Sequence, residues 1–228
     1  KQLNPNVLSV YDPVGQASVG GSFNSLSLTE LTPLLHQVDV ITPNMGEAYS
    51  LAAQAGSNAT QADLARKINQ RFAITSVIVK GGHHDDDRFS SDYCYHQLNQ
   101  LSEEKQDNQD KTKMAISYQL AASRIQTHYS HGGGCSFASA LSAFLAHGYL
   151  MRDAFTLAKA YMTQGLSASE ARSELHGHQY YGAFEQYYWP KKSVYFPKVI
   201  DELSVKNQSL AAFSSLNLND KKLGLYPV

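Results

Sequence analysis

The sequence predicts an α/β fold with a mainly parallel sheet covered by helices on both faces, and three observations carry that prediction. Apolar segments bounded by turn residues alternate with helical patterns: strand, helix, strand, helix, strand. The strand-like segments are continuous apolar runs rather than alternating ones, the pattern of strands buried on both faces. The residues with reactive side chains fall at the carboxyl ends of these runs, where ligands sit in open α/β sheets. They are Asp12 after the first run, Asn44 and Glu47 after the second, and Lys80 to His83 after the third.

Taken in order, Val7–Val10 reads as a short strand that ends at Asp12-Pro13. Ser27-Leu28-Thr29-Glu30 has the capping-box pattern of a helix start, and Pro33 is expected to interrupt that helix, with Thr32 as a new cap. "VDVITPN" (38–44) is a second strand and "GEAYSLAAQAG" (46–56) a helix stopped by Gly56. Thr60 caps a helix with Leu64 and Ile68 one turn apart. "SVIVKGG" (76–82) is a third strand, rich in β-branched residues. Residues 84–91 read as a polar turn, and 92–96 and 116–127 as strands separated by a charged, aperiodic excursion. Helices follow at about 136–147 and 152–166, then an aromatic-rich segment over 176–196, then a polar linker over 197–222 with some helix around 198–212.

The bulk numbers exclude several classes. With 228 residues the chain can bury a real core, and 43% hydrophobic and 17% charged residues suit a globular domain. Nineteen basic and twenty acidic residues leave a formal charge of -1, which gives no electrostatic footprint for nucleic acid or an anionic membrane. Two cysteines are too few for a disulfide scaffold. No apolar run approaches the roughly 18–20 residues of a membrane span. A cytoplasmic protein is expected, without nucleic-acid or membrane partners. An apolar run almost at the first residue and "LGLYPV" at the last read as elements cut mid-way, so a fragment of a longer protein is expected.

The chemistry concentrates in "THYSHGGGCSFASALSAFLAHG" (127–148). Phe137, Leu141, Phe144 and Leu145 fall on one helix face, with Gly148 placed as its C-terminal cap. Gly132, Gly133, Gly134 and Cys135 therefore feed a helix N-terminus, where glycine lets the backbone approach a ligand and turn amides toward an anion. The same position lowers the pKa expected of a thiol. Three readings stay open on these residues alone: a phosphate cradle, a Cys135–His131 nucleophile pair of a hydrolase or acyltransferase, and a small buried thiol beside a plain connection. No Lys-Ser/Thr follows the last glycine, so this is not a Walker A loop.

The whole segment resembles the signature of the hydroxymethylpyrimidine/phosphomethylpyrimidine kinases, a ribokinase-like family of thiamine biosynthesis, which typically shows H-G-T-G-C-[ST] before a small-residue helix and then an A-K-x-[YF] helix. "DPV" (12–14), "DVITPNMGEA" (39–48), "VIVKGGH" (77–83), "SSDYCY" (90–95) and "RIQT" (124–127) recur in the family's order, and "GAFEQYYWP" resembles its aromatic end. The resemblance covers about residues 6–190. It implies a three-layer sandwich with the N-terminal part missing, and ATP-dependent phosphorylation of 4-amino-5-hydroxymethyl-2-methylpyrimidine and its monophosphate.

On that resemblance, the amides of Gly132, Gly133, Gly134 and Cys135 form an anion hole for the γ-phosphate, and Cys135 is the general base facing the acceptor hydroxyl. Asn44 and Glu47 hold a Mg²⁺–phosphate cluster, Asp12 lies near the same metal, and Lys80, Gly81 and Gly82 flank the nucleotide. These roles suit phosphoryl transfer, which needs positioning and charge neutralisation, and Mg²⁺, which prefers oxygen ligands. Gly133 departs from the family's threonine, which is expected to loosen the loop. "NDKKLGLYPV" is similar to the first barrel strand of thiamine-phosphate synthase. The implied organisation is a kinase domain over 1–196, a linker over 197–222, and the start of a second domain over 223–228 in a covalent fusion. The resemblance allows a homodimer without fixing one.

Other readings remain beside it. Pyridoxal kinase is the nearest enzymatic rival, though its members usually carry aspartate at the Cys135 position. A non-catalytic nucleotide- or pyrimidine-binding domain is another. His83-His84-Asp85-Asp86-Asp87 reads as a solvated turn, since contiguous residues rarely converge on one ion. Tyr180, Tyr181, Tyr187, Tyr188 and Trp189 are read first as packing and second as a base-stacking surface. Cys94 is expected to be buried and inert.

Overall fold

A computed structural model describes residues 7–14, 27–53, 58–81, 88–98, 115–127, 129–176, 185–186 and 188–200. Gly56, Gly82, the 83–87 turn, Tyr180, Tyr181, Tyr187 and the 223–228 tail lie outside the described residues. The elements in chain order are β1 (Val10–Tyr11), α1 (Leu28–Leu35), β2 (Val40–Ile41), α2 (Met45–Leu51), α3 (Gln61–Phe72), β3 (Ser76–Val79), β4 (Phe89–Gln97), β5 (Ala115–Ser123), α4 (Gly133–Ala146), α5 (Met151–His176), a 3₁₀ turn (Ser193–Tyr195) and β6 (Lys198–Ile200).

The six strands form one sheet in the order β1-β2-β3-β4-β5-β6. β1, β2 and β3 are parallel, whereas β3–β4, β4–β5 and β5–β6 pair antiparallel. The α/β class holds, but the sheet is mixed rather than mainly parallel. The turn from Val79 to Phe89 is too short for the crossover that a parallel neighbour requires.

Alternation along each strand sends side chains to two cores. Ile41, Val77, Val79 and Tyr93 pack with Leu35, Leu51, Leu64, Ile68 and Phe72, so α1, α2 and α3 cover one face. Val40, Ile78, Cys94 and Leu120 pack with Phe137, Leu141, Phe155 and Ala158, so α4 and α5 cover the other. Because both faces are covered, β2 and β3 read as near-continuous apolar runs. The result is a three-layer sandwich.

Helix starts follow their sequence signals. Ser27 with Glu30, Asn44 with Glu47, and Thr60 with Asp63 each close a reciprocal capping box. Pro33, however, does not interrupt α1. Thr32 remains inside the helix, its hydroxyl donating to Leu28 O at 2.8 Å, and His36 N–H reaches back to Thr32 O at 3.2 Å. The proline falls where the helix has only two residues left, so the one amide bond it removes lies near a frayed end. α5 runs on to His176, well past the expected end. Lys198–Ile200, read as the start of some helix around 198–212, instead pairs with Leu120 and its neighbours as β6, and residues 201–222 lie outside the described residues.

Candidate active site

The parallel half of the sheet places three strand ends side by side. Asp12 follows β1, Thr42 and Asn44 follow β2, and Lys80 and Gly81 follow β3. Lys80 N–H donates to Pro43 O at 2.8 Å, and an isolated bridge joins Asn44 to Lys80, so the β2 and β3 ends stay in register beyond the strands themselves.

On this edge Asp12 Oδ1 accepts two hydrogen bonds, from Lys80 Nζ at 2.8 Å and from Thr42 Oγ1 at 2.9 Å. The side chains of Asp12 and Lys80 are only 12% and 18% exposed, so this ion pair is screened far less than a surface pair. Among the described residues, Asp12 Oδ2 is buried with no hydrogen-bond partner. A buried carboxylate oxygen left this way is costly unless another group meets it.

The glycine turn arrives at the same place from the far side of the chain. A Cβ built on Gly134 would sit 3.3 Å from Lys80 Nζ and 3.5 Å from Asp12 Oδ2. Residues 12, 80 and 134 therefore converge, and a side chain at 134 would stand in close contact with the ion pair. Gly132 precedes α4 with φ +79°, a left-handed conformation that glycine adopts without strain, and makes no side-chain cap bond. Gly134 and Cys135 are the second and third residues of α4, whose amides have no intrahelical acceptor. One expected member drops out of the anion hole: the Gly133 N–H already donates to Ser130 O at 3.0 Å.

Cys135 is exposed. It lines a cavity of about 600 Å³ between α4, α5 and residues Gln186, Tyr188 and Trp189, with His131, Gly132, Ser139 and Tyr161 on its walls. Trp189 packs edge-on against Phe144 at 5.4 Å, so one face of this cavity is an aromatic cluster braced on α4. Tyr188 and Trp189 are both exposed, and Trp189 also meets the ring of Tyr149.

Asn44 and Glu47 stand on the same edge, but they are engaged with each other. Glu47 Oε2 accepts the Asn44 N–H at 2.7 Å, and Asn44 Oδ1 accepts the Glu47 N–H at 2.9 Å. The Tyr11 phenol is pushed up, first by burial and then by the negative charges of Glu47 and Asp12. Both carboxylates are thus close enough to act on one group. Among the described residues no cluster of three or more His, Cys, Asp and Glu side chains forms a metal site. Two carboxylates and an amide oxygen nevertheless fit Mg²⁺, a hard cation that keeps several waters and shares substrate phosphates. The unpartnered Asp12 Oδ2 is the observation on which that fit rests.

Cys94 is buried in β4 as expected, and burial pushes its thiol up to about 12, which keeps it protonated and unreactive. Among the described residues no helix is long and apolar enough to cross a membrane.

A model of the family described as phosphomethylpyrimidine kinase matches residues 2–180. The chain belongs to that family. Its relatives include the hydroxymethylpyrimidine/phosphomethylpyrimidine kinase of Helicobacter pylori, 28% identical over 160 residues, which are 68% of this chain and 53% of the relative. The thiamine biosynthesis multifunctional protein ThiED of Corynebacterium efficiens is 32% identical over 174 residues, 75% of this chain and 21% of that protein. Among solved structures, the pyridoxal kinase from Staphylococcus aureus in complex with AMP-PCP and pyridoxal superposes with a TM-score of 0.53 at 28% identity, covering 70% of this chain and 51% of that one. The chain spans about half the length of the Helicobacter kinase and of the solved one. In this phosphomethylpyrimidine kinase family member, Thr42 went unrecognised in the sequence although it holds Asp12. Its only signal was a hydroxyl directly after an apolar run.

Proposed function

We propose that the protein carrying this chain transfers the γ-phosphoryl group of ATP to 4-amino-5-hydroxymethyl-2-methylpyrimidine and to its monophosphate. The observation that carries this reading is the convergence of the Asp12–Lys80 pair on Gly134, at the uncapped N-terminus of α4. A helix start with unpaired amides favours phosphate, and a lysine beside it adds a full positive charge. The AMP-PCP complex of the Staphylococcus kinase supports ATP as the donor.

In the reaction, the amides of Gly132, Gly134 and Cys135 would receive the transferring phosphate. Lys80, held by Asp12, would face the phosphates, with Gly81 and Gly82 along the nucleotide. Mg²⁺, when bound, would neutralise charge on the phosphates, and Asn44 and Glu47, with Asp12 nearby, are the residues that would hold it. Cys135 Sγ would take the proton of the acceptor hydroxyl as its oxygen attacks the γ-phosphorus and the bond to ADP breaks. A monophosphate acceptor presents an oxygen that is already anionic, so that second transfer needs no base.

Pyridoxal is the second acceptor to weigh, because a pyridoxal kinase superposes on this chain. The thiol at 135 favours the pyrimidine. The family's kinase domain is taken to include β6, and the 223–228 tail is taken as the start of a thiamine-phosphate synthase-like domain, which the multifunctional relative supports. ADP release from ATP and Mg²⁺, measured with the pyrimidine alcohol, its monophosphate and pyridoxal offered separately, tests the reading. Turnover of both pyrimidines is expected. Turnover of pyridoxal alone would replace the acceptor, and turnover of none would sink the kinase assignment.

A further inference from the structure

Two of the recurring motifs have no part in the reaction above, and they meet in the core. "SSDYCY" (90–95) lies on β4 and "AKAY" (158–161) on α5. Lys159 Nζ stands 2.7 Å from Asp92 Oδ2, with the two side chains 6% and 10% exposed. Lys159 also reaches Ser90 Oγ at 3.4 Å. The second oxygen of Asp92 turns the other way and accepts the Gly81 N–H at 2.9 Å.

Gly81 is confined on its other side too. A Cβ there would lie 2.1 Å from Ser91 O and 2.7 Å from Gln61 Nε2, so only glycine fits. Gln61 Nε2 is itself fixed by Val79 O and Ser91 O, each at 2.9 Å. Gly81 thus sits in a slot, with its amide pinned by a carboxylate that a buried lysine holds in place. The preceding residue is Lys80, which crosses to Asp12 and touches the glycine turn.

A buried ion pair is a poor device for stability alone, because desolvating two charges offsets most of their attraction and an apolar pair of similar volume packs as well. What an apolar pair cannot supply is an acceptor for the Gly81 amide. We propose that Asp92 and Lys159 are positioning residues: Lys159 aims Asp92, Asp92 fixes Gly81, and the fixed backbone places the Lys80 ammonium against Asp12 and the α4 N-terminus. This rests on the kinase reading, in which Lys80 faces the donor's phosphates.

The test compares two double variants of the intact protein that both remove the charges. Asp92→Leu with Lys159→Met deletes the acceptor, whereas Asp92→Asn with Lys159→Met keeps a carbonyl oxygen for Gly81. ATP affinity by calorimetry is expected to fall about tenfold in the Leu form and to stay within about threefold of wild type in the Asn form, since an unpaired buried donor loses its placement. Hydrogen exchange at the Gly81 amide, measured without nucleotide, is expected to quicken about tenfold in the Leu form only. Equal exchange in the two doubles overturns the anchor, and an equal loss of ATP affinity in both overturns its role in placing Lys80. Exchange that follows the expected pattern while even the wild type binds no ATP upholds the anchor and overturns the kinase reading. If the Leu form does not fold, Asp92→Ala with Lys159→Met takes its place.

Discussion

Two helices begin at the carboxyl edge of the sheet, and their first turns are built on opposite plans. α2 and α4 both carry glycine at the second position, Gly46 and Gly134. At the third they differ: Glu47 closes a capping box with Asn44, while Cys135 caps nothing and Gly132 precedes it with no side-chain bond. A side-chain cap stabilises a helix by about 1 kcal/mol, so α4 forgoes an increment that α1, α2 and α3 all take. Its placement comes instead from Phe137 and Leu141, buried against Phe155. The closed start supports the sheet edge. The open one leaves amides for an anion, beside the one lysine–carboxylate pair described on that edge.

The sharpest way to break this contrast is at the third position. Cys135→Ala removes the proposed base without touching the cradle, so turnover of the pyrimidine alcohol should fall about 10²–10⁴-fold, the usual range for general-base loss. Turnover of the monophosphate, which needs no deprotonation, should fall less than about tenfold. Steady-state rates on the two acceptors separate the effects. Equal losses on both would show that Cys135 serves the fold or the anion hole rather than proton transfer.

The second positions offer a matched pair. A methyl on Gly134 meets Lys80 Nζ at 3.3 Å, so the ammonium must give by a few tenths of an ångström, whereas one on Gly46 meets Asn44 Oδ1 at an ordinary 3.5 Å. Both changes replace glycine inside a first turn, where alanine is favoured by up to about 1 kcal/mol. Thermal midpoints should hold or rise in both variants, while ATP affinity should fall about three- to tenfold only in Gly134→Ala. A similar loss in Gly46→Ala would end the distinction between the two helix starts.

The open start was legible in the sequence as glycines feeding a helix N-terminus suited to an anion, whereas the cap at the closed start was not recognised. Asn44 and Glu47 stand three residues apart, a local spacing that a sequence displays, although they were read there as metal-holding residues rather than as a capping box. Ser27 with Glu30 was legible in full for the same reason. The Asp12–Lys80–Gly134 meeting spans most of the chain. Strand ends suggested the edge, but only folding shows that Gly134 lies on the ion pair and that the Gly133 amide is already used. Asp92 and Lys159 were visible as motif residues without a role, because their partner, Gly81, becomes apparent only when β3, β4 and α5 pack. The direction of β4 was not legible in its residues, since the mixed polar and aromatic run from Phe89 to Gln97 does not distinguish a parallel from an antiparallel neighbour. The short link from Val79 to Phe89 did encode it.

A smaller effect is expected from opening the closed start. Asn44→Ala removes the acceptor for the Glu47 amide and should cost about 1 kcal/mol, a fall in thermal midpoint of about 2–4 °C for a chain of this size. If Asn44 and Glu47 act on Mg²⁺ only through water, the Mg²⁺ concentration for half-maximal turnover should rise by no more than about threefold. A larger rise, measured by titrating Mg²⁺ at saturating ATP, would make the amide a direct ligand and bring α2 into the reacting site.

The smallest change expected is at Gly133, the position where the resembled signature H-G-T-G-C-[ST] has threonine. A Cβ there would lie 3.4 Å from the Met162 terminal methyl, the far end of a flexible side chain, with no other contact within 4 Å among the described residues. The Cβ of a threonine would therefore meet Met162 at about ordinary contact. It removes unfolded-state freedom worth about 0.4–1 kcal/mol in comparable glycine replacements, offset in part by its modest helix propensity. Gly133→Thr should raise the thermal midpoint by about 1–3 °C, since 1 kcal/mol corresponds to about 2–4 °C at this chain length. Because the Gly133 amide is already bonded to Ser130, the stiffer turn should improve ATP affinity by no more than about threefold. A gain well beyond that in calorimetry would mean that the hydroxyl itself meets the phosphate, and that the α4 start gains by adding a side-chain donor rather than by leaving only backbone amides open.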